Sequence, residues 1–542
     1  MTIMQRRNFS LFKAALALLP TLVAVVPPVA AQPVVAQGSQ DVAQRTIDVD
    51  LGRAGAQMDR AFDLSVGSDF AGTLSRPDSL AQLGTATDEL GFRYVRFHAP
   101  FHDALKTVEL RDGRIVYNWS GLDHLFDALL ARRIKPFVEL GFTPEAMATS
   151  KQTIFYWKGN TSHPDPKAWA ALIDAFVRHV QQRYGVQEVR SWYFEVWNEP
   201  NLDGFWEHAD QQAYFDLYES SARTIKAIDP ALRVGGPATA GAAWVPEFLD
   251  RAAKRKIPVD FVTTHTYGVD GGFLDERGED DNKLSTNPDA IIGDVRKVRE
   301  QIDSSAFPGL PLFFTEWSAS YNPRDPVHDS YVSAAYILSK LRGTRGLAQG
   351  MSYWTYSDLF EEAGPPPTPF HGGFGLMNRE GIRKAAWFAY KYLHALNGKE
   401  IPLPDAQALA TTQDKRTAVL LWNWRQPAQP ISNRPFFTKL LPATSEPATT
   451  LRFSGVAPGR YRLVVRRTGY RANDAYSRYL EMGSPAKLTD AQLAELQALA
   501  SDTPETDQTV RIGKDGRYNV RLPMRSNDVI LATIEPVAKP GR

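Results

Sequence analysis

The chain has 542 residues, 43% hydrophobic and 23% charged, which is enough to bury a large core and to hold a barrel-sized domain beside a smaller one. A net charge of +1 leaves no basic field for nucleic acid and no acidic tail, and it suits a neutral small-molecule substrate. The absence of cysteine excludes disulfides, thiolate nucleophiles and cysteine metal sites together.

Residues 1–31 read as a bacterial signal peptide. Arg6 and Arg7 precede an apolar stretch, Ala14–Val26, and then Val29-Ala30-Ala31, with cleavage expected near Ala31. The arginine pair and Phe9 point to the twin-arginine route, while Gln5 and Ser10 depart from that pattern, so the general secretory route stays open. The apolar stretch is short for a membrane span and is interrupted by Pro20. The mature protein is therefore expected in the periplasm or outside the cell, free of the membrane. Residues 32–61 form an N-terminal segment in which Arg45–Leu51 alternates and is expected to add a strand to a distant β-sandwich.

Over residues 62–398, eight strand-like runs alternate with helical patterns. The runs are predicted at Phe62–Phe70, Tyr94–Pro100, Lys135–Phe142, Trp192–Pro200, Leu232–Thr239, Val259–Gly268, Pro311–Ser320 and Gly350–Asp358. Strands and helices alternating in this way imply parallel pairing through right-handed crossovers, and eight units favour an α/β fold closed as a (β/α)8 TIM barrel. The helix predicted over Pro166–Tyr184 shows the period clearly. Trp169, Leu172, Ile173, Phe176 and Val180 share one face, opposite Lys167, Asp174, Arg178 and Gln181.

Beyond Leu396 the alternation stops, and residues 399–542 are expected to form a C-terminal β-sandwich. Its strands are predicted at Thr417–Trp424, Thr449–Val456, Arg460–Arg467, Thr509–Ile512, Arg517–Leu522 and Val529–Ile534. One helix is predicted to interrupt them, Asp490–Ala500, capped by Thr489 and presenting Leu493, Leu496, Leu499 and Ala500 on one face.

Two barrel runs end in glutamate, Glu199 after Trp197-Asn198 and Glu316 after Phe314-Thr315. The carboxyl ends of barrel strands converge on one face, so the two meet there despite their distance in sequence. Paired carboxyl groups among aromatic rings are the working parts of a glycosidase, one giving a proton to the departing oxygen and the other stabilising or capturing the oxocarbenium-like centre. Glu199, beside Pro200, is the candidate acid and Glu316 the candidate nucleophile. Mutual repulsion is expected to keep one protonated and the other ionised. Other strand ends supply groups for sugar hydroxyls and a ring face: His98, Asn198, His265, Tyr267, Trp354 with Tyr356, and Glu361 beside Glu362. Tyr267 is also placed to donate a hydrogen bond to the nucleophile. The ten histidines include no helical His-x-x-x-His pair, and no phosphate-cradling or dinucleotide glycine motif is present, so neither metal nor cofactor is expected.

At these residues the chain resembles glycoside hydrolase family 39 and, within it, the bacterial β-xylosidases. The resemblance rests on Trp197-Asn198-Glu199-Pro200, His265-Thr266-Tyr267-Gly268, Phe314-Thr315-Glu316-Trp317, Tyr353-Trp354-Thr355-Tyr356 with Glu361-Glu362, and His371-Gly372-Gly373-Phe374. It implies Glu199 as acid/base, Glu316 as nucleophile, a metal-free retaining double displacement, and Asn198, His265, Tyr267, Trp354 and Glu361 at the sugar. Xylo-oligosaccharides are the implied substrates, cleaved from one end. An α-L-iduronidase, a β-glucosidase, a mixed-specificity glycosidase and a carbohydrate-binding barrel without catalysis remain alternatives. Two carboxylates at Glu361 and Glu362 would repel a uronate, which argues against the first.

Overall fold

The structure, a computed structural model, describes residues 44–537. The signal-peptide reading of residues 1–31 lies outside the described residues. Eight parallel strands close into a barrel: β1 Ser65–Gly67, β2 Tyr94–Phe97, β3 Lys135–Leu140, β4 Tyr193–Val196, β5 Arg233–Thr239, β6 Phe261–Tyr267, β7 Leu312–Ser318 and β8 Gly350–Tyr353. Each pairs with the next, and β8 returns to β1 through Tyr353 and Val66. β1 is much shorter than the predicted run, because Ala61–Asp63 forms a 3-10 turn before it and the chain leaves the sheet after Gly67.

The helices form where caps and apolar periods coincide. Helix Pro166–Tyr184 begins with Asp165 accepting from the amides of Lys167 and Ala168, has Pro166 at its first position, and stops at Gly185. Its predicted stripe is fully buried, and Trp169 Nε1 donates to Ser221 Oγ of helix Gln211–Ile228 at 2.9 Å. Helix Pro77–Leu90 ends at Gly91, whose φ of +76° and closeness to the His394 ring leave no room for a side chain.

The second domain is a sandwich. A six-stranded antiparallel sheet runs in the order Lys399–Ile401, Ala408–Gln413, Arg416–Trp422, Val529–Pro536, Gly459–Thr468, Thr506–Ile512. A three-stranded sheet joins Thr46–Asp50, Ser445–Ser454 and Tyr518–Arg525, with Thr46 opposite Thr450 in parallel register. Alternate residues of both sheets, among them Ile47, Val49, Val419, Leu421, Phe453, Leu463 and Ile530, bury one core between them. Lys399–Ile401 and Ala408–Gln413 were not predicted as strands, since alanine and polar residues carry little strand signal. Three helices, rather than the single one predicted, interrupt the sandwich: Asn433–Phe437, Ala475–Glu481 and Asp490–Leu499. The last has the expected Thr489 cap, reciprocated by Gln492, but of its predicted face only Leu496 and Ala500 are buried, and Leu499 is exposed.

Barrel and sandwich touch through specific polar pairs, including Tyr392 Oη to Asp502 Oδ1 at 2.7 Å and Trp422 Nε1 to Ser339 Oγ at 2.9 Å. No helix among the described residues is long and apolar enough to cross a membrane.

Candidate active site

Glu316 lies near the end of β7, register-paired with His265 on β6. Glu199 follows β4 on a sharply turned segment in which Trp197 and Glu199 both take positive φ, 71° and 47°. That backbone is unfavourable for residues with a Cβ, so the surroundings must hold it. The Glu199 amide donates to Ala238 O at 2.8 Å, the Trp197 amide to Leu140 O at 3.0 Å, and the Trp197 indole to Phe205 O at 2.7 Å. The outcome is a close triad: one carboxylate oxygen each of Glu199 and Glu316 and a ring nitrogen of His265 lie within 4.8 Å of one another.

Around Glu316 the charges are arranged by Arg96 of β2, which is fully buried. Its guanidinium reaches Glu316 Oε1 at 2.7 Å, Glu195 Oε2 at 2.5 Å, Glu139 Oε2 at 3.0 Å and Asn198 Oδ1 at 2.8 Å. Burial alone would weaken that charge, but the three carboxylates raise the arginine far above its ordinary range. Tyr267 Oη donates to Glu316 Oε2 at 2.7 Å, as expected from the sequence. Burial first, then the two glutamates, keep that phenol protonated and therefore a donor.

Glu199 behaves differently. Burial pushes its carboxyl up to about 7, Arg96 and His98 pull it down, and Glu139 pushes it up. The expected cause, repulsion from Glu316, is thus replaced by burial, the same device that keeps a carboxyl protonated in a hydrophobic pocket. His265 Nδ1 sits 2.8 Å from Glu199 Oε1, and burial lowers this histidine to about 4, so it is neutral.

Glu199 and Glu316 open onto a cavity of about 570 Å³. Its lining includes His98, Trp354, Glu362 and Phe374 as well as Leu202, Ala240, Tyr321 and Pro323, with Asn198 and Tyr267 beside the glutamates. His98 Nδ1 is 2.7 Å from Glu139 Oε2 and Nε2 is 3.2 Å from Glu362 Oε1. Burial disfavours its cationic form, but the two carboxylates outweigh it and hold His98 well above the usual histidine range. Burial pushes Glu362 up to about 8, partly offset by His98.

Three residues predicted at the sugar, Glu361, His265 and Tyr356, do not line the cavity. Glu361 turns away: Arg76 Nη1 pairs with its Oε1 at 2.6 Å, and the adjacent Glu362 lines the cavity instead. His265 is fully buried against Glu199 and does not line the cavity. Tyr356 points outward to Ser79 Oγ at 2.6 Å, because β8 ends at Tyr353 and the strand alternation ends with it. His98, Asn198, Tyr267 and Trp354 are brought together with Glu199 and Glu316 as expected. The sequence reading missed Glu139 and Glu195, although a carboxylate inside a run such as Phe137-Val138-Glu139-Leu140 already demands a buried partner.

Glu199, His265 and Glu316 also offer ligand atoms near enough to share a cation. Arg96 already supplies positive charge against Glu316, which opposes a second cation there.

The family model described as Glycosyl hydrolases family 39 matches residues 45–519. The GH39 enzyme from Xanthomonas axonopodis pv. citri is 65% identical, with a TM-score of 0.92 over 93% of this chain and 100% of that one. A monomeric beta-xylosidase from Caulobacter crescentus CB15 is 65% identical, with a TM-score of 0.90 over 91% of this chain and 100% of that one. A beta-xylosidase from Caldicellulosiruptor saccharolyticus is 36% identical across 90% of this chain and 98% of its own length.

Proposed function

This chain belongs to glycosyl hydrolase family 39, and from that premise we propose that it is a retaining, exo-acting β-xylosidase releasing xylose from xylo-oligosaccharides. The observation that carries the proposal is the approach of Glu199 and Glu316 to within 4.8 Å, which suits the carboxyl spacing of about 5 Å in retaining enzymes rather than the wider gap of inverting ones. Glu316, paired with Arg96 and accepting a hydrogen bond from Tyr267, attacks the anomeric carbon. Glu199 gives its proton to the departing oxygen, which leaves with the bonding electrons. Glu199, now ionised, then takes a proton from water as that water displaces Glu316 from the glycosyl ester and releases xylose.

A neutral pentose fits the lining. Asn198, His98 and Glu362 address hydroxyls, and Trp354 offers a ring face. The described lining includes neither lysine nor arginine, and its cationic His98 is already paired with Glu139 and Glu362, so an iduronate carboxylate would meet no free cation. With Glu361 paired to Arg76 and Glu362 pushed up to about 8, the want of a free cation, rather than repulsion by the two glutamates, disfavours the iduronide.

The deciding experiment sets aryl β-xyloside, β-glucoside and α-L-iduronide side by side and treats the enzyme with a slow 2-fluoroxyloside. Preference for the xyloside and a covalent label on Glu316 are expected. Preference for the iduronide, or a label elsewhere, overturns the reading. Export is proposed from residues 1–31 and is checked by periplasmic fractionation, with cytoplasmic retention the contrary result.

A further inference from the structure

The loops after β6 and β7 carry the wall of the cavity that includes Val269, Tyr321 and Pro323. Among the described lining residues Tyr321 is the most exposed aromatic ring, at 53%. It is exposed, as is Leu202, while Trp354, Phe374 and His98 of the same lining are buried. An exo-acting enzyme holds the terminal sugar among its buried lining residues, so the rest of the chain leaves past the exposed ones, Tyr321 among them.

The tyrosine is held in place. Its Oη donates to Asn282 Oδ1 at 2.7 Å, and its ring meets that of Tyr267 edge-on at 6.2 Å between centroids. Asn282 belongs to a hairpin, Val269–Leu274 with Asp280–Leu284, that projects from the barrel. The sandwich segment around helix Asn433–Phe437 fastens that hairpin. Leu284 N donates to Asn433 Oδ1 at 2.9 Å, Arg434 N to Asp281 Oδ2 at 2.9 Å, and Ser432 Oγ to Leu274 O at 3.0 Å. The Arg434 guanidinium pairs with Asp275. Asn433 also reaches the loop that carries Tyr321, its Nδ2 donating to Asp325 Oδ2 at 2.6 Å. One buried amide therefore ties both loops to the sandwich, and its removal would leave polar groups on each unpaired.

We infer that Tyr321 is the stacking platform for the sugar or aromatic group on the leaving-group side of the scissile bond, and that Asn433 is the positioning residue through which the sandwich sets its place. The inference rests on the assignment of Glu199 and Glu316 above. Its test compares xylobiose with β-xylosyl fluoride, whose leaving group occupies no sugar site. In Tyr321→Ala and in Asn433→Ala the ratio of kcat/KM on xylobiose to that on the fluoride is expected to fall about tenfold, chiefly through KM. In the double variant the ratio should fall no further than in Tyr321→Ala, because Asn433 acts through that ring. If Asn433→Ala does not fold, Arg434→Ala, which loosens the hairpin alone, is read in the same way. Equal losses on both substrates, an unchanged ratio or additive losses overturn the inference. Wild-type protein that ignored xylosyl fluoride would contradict the pentose reading instead, and the same ratio would then be taken from whichever glycosyl fluoride and disaccharide it accepts.

Discussion

At the amino-terminal end of the barrel, Leu64, Phe137, Phe261 and Phe313 interlock with Tyr94 and Tyr193. Two residues further along the same strands, the inward positions are Arg96, Glu139, Glu195, Thr263 and Thr315. The strands and their pleat are continuous, with Phe137 opposite Tyr193 and Glu139 opposite Glu195 in one register. An aromatic layer gains stability from apolar burial and edge-to-face packing and asks nothing of charge. The layer above spends part of that stability on desolvated charge, which persists because each buried carboxylate finds Arg96, His98 or a hydroxyl. The strands thus serve as a common scaffold whose lower layer holds the barrel shut while the upper layer sets protonation.

The sharpest way to break this comparison is Arg96→Leu. Glu139, Glu195 and Glu316 would lose their shared cation, and the expected result is a fall in kcat/KM of at least about a hundredfold with about 3–5 kcal/mol of stability. Steady-state kinetics and urea unfolding measure both. Phe313→Ala, at the opposite end, should cost a similar ~3–5 kcal/mol but leave kcat/KM within about threefold on the folded protein. Activity collapsing in protein that remains folded would show that the two layers are not separable.

Glu199 sharpens the comparison through pH. Its folded carboxyl titrates near 7 against 4.5 for the ordinary group, so the unfolded chain releases the proton first. Stability from this group is therefore present below about pH 4.5 and is lost as pH rises toward 7, about 3 kcal/mol in all. Glu199→Gln should remove that slope, making the variant more stable than wild type at pH 8 and not at pH 4, as read by unfolding at both values. Turnover of xylobiose by the wild type should fall above about pH 7, where the acid has lost its proton. The smallest contrast lies within one dipeptide. Glu362→Ala should cost about 1–3 kcal/mol of transition-state binding on an aryl xyloside, and Glu361→Ala, which breaks a partly exposed pair with Arg76, about 1 kcal/mol or less. The reverse order would return Glu361 to the sugar.

The alternation of strand and helix, the strand-end positions of Glu199 and Glu316, and the hydrogen bond from Tyr267 could all be read from the sequence. Each follows from local period or from the convergence of barrel strand ends. The capping of helix Asp490–Leu499 by Thr489 was equally local. By itself, then, the sequence determined a barrel with a β-rich partner and a pair of facing carboxyl groups. The tertiary structure alone decided which neighbour each charged group obtained. Glu361 and Glu362 are adjacent in sequence, yet one meets Arg76 and the other His98, because β8 ends at Tyr353 and the loop beyond it follows no strand period. Arg96 gathers carboxylates from three other strands, and burial rather than repulsion raises Glu199. Desolvation and long-range pairing depend on the whole surroundings of a group, and no stretch of sequence around a single residue contains them.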